Sequence, residues 1–141
     1  MADPGIVLGK PYRLIHKDRG PHIKAHTNWD WLFLADKKGD HGEPVVFHEY
    51  GNGQYLIEST YSNWGGYTYW TRSTTGIHLN TRDAATPWRV VPGGRAWSLE
   101  AEVENDEVHV AHSCSSPRWL LGYSEVMPNF QEFCHFTIVP A

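Results

Sequence analysis

Proline recurs at positions 44, 87 and 128 of this chain, and each time a strand-like run follows it. Pro44 leads Val45-Val46-Phe47, a Gly51-Asn52-Gly53 turn and Tyr55-Leu56-Ile57-Glu58. Pro87 leads Trp88-Arg89-Val90-Val91, then Pro92-Gly93-Gly94, then Trp97-Ser98-Leu99-Glu100. Pro128 leads Asn129-Phe130 and, further on, Phe136-Thr137-Ile138-Val139. A proline opening a strand loses no ladder hydrogen bond, and glycines between the runs accept the positive φ that tight turns need. Closing aromatics fall at Tyr55, Trp97 and Phe136. Prolines and aromatics both step by roughly forty residues, a period that marks internal repeats.

The intervening stretches fill each repeat with short strands. Residues 6–17 read as a first strand with Tyr12, Leu14 and His16 on one face; 18–29 read as loop; Trp31–Ala35 is a second strand, and Asp36–Gly42 a polar turn. Tyr67–Arg72 and Ile77–Leu79 supply the next pair, and Val108–Ala111 and Trp119–Tyr123 the last. No stretch carries the 3.6-residue periodicity of an amphipathic helix. The expectation is an all-β chain, a single domain over 1–141, divided into three pseudo-repeats of about four strands each near 6–59, 60–101 and 102–141. All-β chains avoid exposed ladders by closing into barrels or by radial repetition. Three four-strand units in a chain of 141 residues fit a β-trefoil, with a three-bladed propeller as the geometric rival.

Strand order, unit length and an aromatic followed by an aliphatic in each closing strand resemble β-trefoil proteins of the ricin-B-like lectin type. Fungal members of that group, mushroom lectins and the lectin-like light subunit of mushroom tyrosinase, are the relatives this pattern suggests. The resemblance spans nearly the whole chain through unspecific motifs. The family's closing strand usually carries Gln-x-Trp; here the three places read Gly53-Gln54-Tyr55, Arg95-Ala96-Trp97 and Cys134-His135-Phe136, so the aromatic position is what the chain keeps. The resemblance implies glycan binding and no cofactor.

Charge excludes some partners. A formal net charge of -4 argues against nucleic acid, which needs a basic face. Lys10, Arg13, Lys17, Arg19, Lys24, Lys37 and Lys38 precede position 40, whereas Glu100, Glu102, Glu104, Asp106 and Glu107 cluster later, an asymmetry that reads as solvated surface. No apolar run approaches a membrane span. The first residues, Met1-Ala2-Asp3-Pro4-Gly5, show no signal-peptide pattern, and two cysteines are too few for a disulfide-stapled scaffold, so the expected location is cytoplasmic.

Catalytic and metal patterns are weak. His22 and His26 stand four apart without the glutamate or the helix of a zinc protease, and His109 and His112 differ by three, which puts them on opposite faces of a strand. Cys114 and Cys134 read as buried thiols, and their spacing decides nothing about a bond between them. Glu100, Glu102 and Glu104 alternate with Ala101 and Val103 as a solvent-facing stripe rather than a facing carboxylate pair. The chain is therefore expected to be no enzyme, with no catalytic residue and no metal.

What remains is aromatic. Tyr61, Asn63, Trp64, Tyr67, Tyr69 and Trp70 crowd around Gly65-Gly66, too many rings for one core beside Trp88, Trp97 and Trp119. The glycine pair turns the backbone and leaves Trp64 and Tyr67 on a loop, with Asn63 as a polar neighbour. Sugars offer C–H faces that stack on such rings and hydroxyls that need polar partners. Asn63, Trp64 and Tyr67 are accordingly the expected ligand-binding residues of a non-enzymatic, lectin-like carbohydrate-binding protein, whose partners are glycans. Two alternatives stand beside it. A β-trefoil also frames protease-inhibitor loops, for which Arg72-Ser73, Lys37-Lys38 and Arg82-Asp83 are basic positions; the tyrosinase likeness suggests an accessory subunit docked on a larger protein.

Overall fold

The computed structural model describes residues 5–16, 23–25, 32–34, 43–62, 64–73, 76–93, 96–102, 108–113, 120–123 and 136–141. Among them are twelve strands: β1 (Tyr12–His16), β2 (Ile23–Ala25), β3 (Leu32–Leu34), β4 (Val45–Gly51), β5 (Gln54–Ser59), β6 (Tyr69–Ser73), β7 (Gly76–Asn80), β8 (Arg89–Gly93), β9 (Ala96–Glu102), β10 (Val108–Ser113), β11 (Leu120–Tyr123) and β12 (Phe136–Pro140). One 3-10 turn, Arg82–Ala84, interrupts them, and no helix among the described residues is long and apolar enough to cross a membrane.

The Pro44 hairpin forms as its sequence dictates. Gly51, Asn52 and Gly53 all take positive φ, at 121°, 54° and 75°, a run that glycine and asparagine alone accept readily. The turn pairs Glu49 with Tyr55 and Gly51 with Gln54, so Tyr50 is the extra residue of a bulge. On β4, Val45 and Phe47 point into the core while Val46 and His48 stay half-buried, the alternation of a strand with one wet face.

Six strands close a ring. Long ladders join β12 to β1, β4 to β5, and β8 to β9. One-residue bridges join the rest: Tyr12 with Val45, Tyr55 with Trp88, and Trp97 with Phe136. The Tyr55–Trp88 bridge is reciprocal, each N–H donating to the other's carbonyl at 2.7 Å. A closed ring leaves no open edge, which is why short strands suffice. The other six strands are the hairpins β2–β3, β6–β7 and β10–β11, whose second strands β3, β7 and β11 touch one another pairwise.

The core draws on both the ring and the hairpins. Tyr12, Leu14, Leu32, Val45, Phe47, Ile57, Trp70, Ile77, Leu79 and Trp88 form one buried cluster, against which Ile6, Tyr55, Val90 and Ile138 pack. Edge-to-face contacts organise it: Phe47 meets Tyr12 at 6.0 Å and Tyr55 at 5.6 Å, and Trp70 stands at 89° to Trp88 at 6.4 Å. Trp70 Nε1 donates to buried Ser59 Oγ at 3.1 Å.

Two expectations change. β2 lies within the stretch read as loop, because a three-residue strand such as Ile23-Lys24-Ala25 is too short to show a period. Phe136 sits directly opposite Trp97 across the β9–β12 bridge, so these two are cross-strand partners and not the same place in successive repeats. The side chains of Trp97 and Phe136 lie outside the described set, as do residues Trp119, His22, His26, Lys37, Lys38, Cys114 and Cys134.

Candidate functional site

From Ser59 to Thr71 the chain carries no charged residue. This stretch leaves β5, loops out and returns as β6, and both its roots are tied. Ser59 N–H donates to Thr68 carbonyl at 2.8 Å, closing the loop across its base. Thr60 donates through both its N–H and its hydroxyl to the Pro44 carbonyl, at 3.0 and 2.9 Å. At the tip, Tyr67 N–H donates to Trp64 carbonyl at 3.1 Å and Gly66 has φ 83°. Positive φ at the third residue of a four-residue turn is the type II requirement, which Gly66 meets without a Cβ penalty. Ser62 hydroxyl adds a second bond to the Trp64 carbonyl, at 2.7 Å. Replacing Gly66 by alanine is expected to cost about 1–2 kcal/mol, although nothing within 4 Å would meet the new Cβ; thermal unfolding of Gly66→Ala beside Gly65→Ala checks it.

The turn holds its rings outward. Tyr61, Trp64 and Tyr67 remain 52, 51 and 45% exposed, in contrast to Trp70 and Trp88 at 0%. Trp64 and Tyr67 are thus on the loop surface where the sequence expectation puts them, joined by one backbone hydrogen bond. Asn63 lies outside the described residues.

Under the loop is a polar cluster that the sequence reading missed. Glu58, near the end of β5, takes His48 Nε2 at 2.9 Å on one carboxylate oxygen and the Thr68 hydroxyl at 2.7 Å on the other. Burial pushes the Glu58 carboxyl up, but hydrogen bonds from Thr68 and His48, the charge of His48 and a hydrogen bond from Tyr69 together hold the group below its ordinary value. Tyr69, paired opposite Glu58, has the His48 ring at 5.7 Å on one side. Arg82 approaches the Tyr69 ring at 5.7 Å and donates to its hydroxyl at 3.3 Å. A glutamate directly after the apolar run Tyr55-Leu56-Ile57 was the available sign in the sequence; its partners depend on cross-strand register.

Of the basic positions named for an inhibitory loop, Arg72 and Arg82 lie in regular structure, and Lys37 and Lys38 lie outside the described residues. Arg72 is within β6, paired with Ile77, and Arg82 is in the 3-10 turn, its carbonyl accepting the Ala85 N–H at 3.1 Å.

No family profile matches the chain, and no curated protein sequence matches it. Its fold, however, is found among solved structures. The lysenin pore superposes with a TM-score of 0.68 at 14% identity, over 96% of this chain and 48% of that one. Cry35Ab1 gives 0.74 at 11% identity, over 96% of this chain and 37% of that one. ThreeFoil, a designed 3-fold symmetric protein, gives 0.69 at 15% identity, over 93% of this chain and 99% of that one. The chain therefore spans half or less of the lysenin and Cry35Ab1 chains and nearly all of the designed protein. With the ring and its three hairpins, these likenesses establish a β-trefoil-like fold.

Proposed function

We propose that this chain is a non-enzymatic carbohydrate-binding module, a lectin of the ricin-B-like type, whose ligand surface is the uncharged 60–68 loop. The observation that carries this reading is the set of half-exposed rings Tyr61, Trp64 and Tyr67 on a loop tied at both roots and at its tip. A neutral polyol asks for that combination: ring faces for its C–H surfaces, and hydroxyl and amide groups for its hydroxyls, with no net charge. Ser62, the tyrosine hydroxyls and, adjoining Trp64 in the chain, Asn63 supply the polar part.

The proposal includes three four-strand units, β1–β4, β5–β8 and β9–β12. Its support is the alternation of long ladders with the bridges Tyr12–Val45, Tyr55–Trp88 and Trp97–Phe136. Each unit then has an aromatic in the first or second place of its opening strand, Tyr12, Tyr55 or Trp97. Units so phased begin one strand earlier than boundaries at residues 59 and 101, because the proline-led hairpins join adjacent units.

Screening labelled protein on a glycan array tests the function. Retention of one group of neutral oligosaccharides is the expected result; no retention at high protein concentration overturns the reading. Phosphocholine belongs on the same array, since one lysenin structure is a complex with it and aromatic faces also attract quaternary ammonium groups.

A further inference from the structure

An exposed ion pair contributes little and needs only one contact. Glu58 is built differently. It and His48 are each 28% exposed, and Glu58 engages both carboxylate oxygens, one across the sheet to β4 and one to Thr68. Thr68 is the residue on which the loop's return depends. Its carbonyl takes Ser59 N–H and its hydroxyl gives to Glu58, so adjacent residues of β5 hold it through backbone and side chain together. On one side of Thr68 is Tyr67, whose N–H closes the tip turn on Trp64; on the other is Tyr69, flanked by His48 and Arg82. Fixing Thr68 therefore fixes where Tyr67 leaves the sheet, and with it the turn that carries Trp64.

We infer that Glu58, steadied by His48, is a positioning residue: through Thr68 it holds the 60–68 loop in one arrangement and so preforms the Trp64–Tyr67 surface. A loop that must be ordered on binding loses affinity to that ordering, and a preordered one does not. The consequence for affinity rests on the carbohydrate reading of the loop, whereas the ordering of the loop does not.

Among the described residues, the charged and titratable groups facing Glu58 are His48 from β4, Tyr69 from β6 and, through Tyr69, Arg82 from the 3-10 turn. The linkage has a definite sign. Because the folded carboxyl titrates below its ordinary 4.5, the tie is complete above that pH and is lost as pH falls through the depressed value.

Hydrogen exchange read by mass spectrometry tests this without any ligand. Thr68→Val keeps the side-chain shape and removes the hydroxyl. It is expected to speed exchange across 59–69 by about tenfold, the factor expected when a tie of about 1.4 kcal/mol is removed, with β1 and β12 unchanged. In the wild type, exchange across 59–69, corrected for its intrinsic pH dependence, should rise on acidification below pH 4.5; in Glu58→Gln it should be flat. Wild-type exchange across 59–69 in Thr68→Val overturns the inference, as does an increase spread equally over β1 and β12. The glycan array is scored separately. If wild-type protein retains no glycan, the carbohydrate reading fails while the exchange result still judges Glu58. If a glycan is retained, Thr68→Val should bind it several-fold more weakly.

Discussion

Trp70→Ala should lower stability by about 3–5 kcal/mol and the thermal midpoint by roughly 10–20 °C. Trp70 is wholly buried and stands edge-to-face against Trp88, itself wholly buried, across the middle of the core. Removing the indole empties the largest kind of side-chain volume beside a ring that cannot follow it, so the cavity persists. It also strips Ser59 Oγ, 4% exposed, of the donor it receives at 3.1 Å, leaving a buried hydroxyl short of a partner. Trp70→Phe should cost less, since it restores most of the volume but not the N–H. Denaturant and thermal unfolding of both variants provide the check. A midpoint within a few degrees of the wild type in Trp70→Ala would show that Trp70 does not anchor the core.

The features that announced this core were local. Pro44 and Pro87 and the glycine turns that follow them mark the hairpins β4–β5 and β8–β9, each paired in antiparallel register. The Gly65-Gly66 pair likewise marked the turn that exposes Trp64 and Tyr67, because a local φ requirement leaves a local residue signature. Ring closure left no such signature. Tyr12 meets Val45, and Trp97 meets Phe136, through single pairs between distant segments, and one pair has no period to read. That is also why Phe136 resembled an equivalent of Trp97 in the sequence while it is its partner in space. The Glu58 cluster was hidden for a related reason. His48, Glu58, Thr68 and Arg82 converge only after β4, β5 and β6 are in register and the 3-10 turn is folded against β6. Asn63, the third residue of the expected site, lies outside the described residues and is placed by chain adjacency alone.

Trp64→Ala should separate binding from folding. Trp64 is 51% exposed, so removing its indole leaves no closed cavity and takes far less from the folded state than emptying the wholly buried Trp70 site. The bonds that shape the turn are to the Trp64 carbonyl, from Tyr67 N–H and Ser62 hydroxyl, and alanine retains that carbonyl. The thermal midpoint should therefore fall by only a few degrees, well short of the drop in Trp70→Ala. Affinity for the glycan best retained by the wild type should fall at least tenfold, about 1.4 kcal/mol, because one face of the sugar loses its stacking surface. Tyr67→Ala should act in the same direction, and Tyr55→Ala, whose ring packs on Phe47, in the opposite sense: a lower midpoint with affinity kept in the folded fraction. Calorimetric titration beside thermal unfolding of the three variants reads both quantities. If Trp64→Ala binds as the wild type does, the ligand lies elsewhere on the fold; if its midpoint falls with Tyr55→Ala, Trp64 supports the structure rather than the ligand.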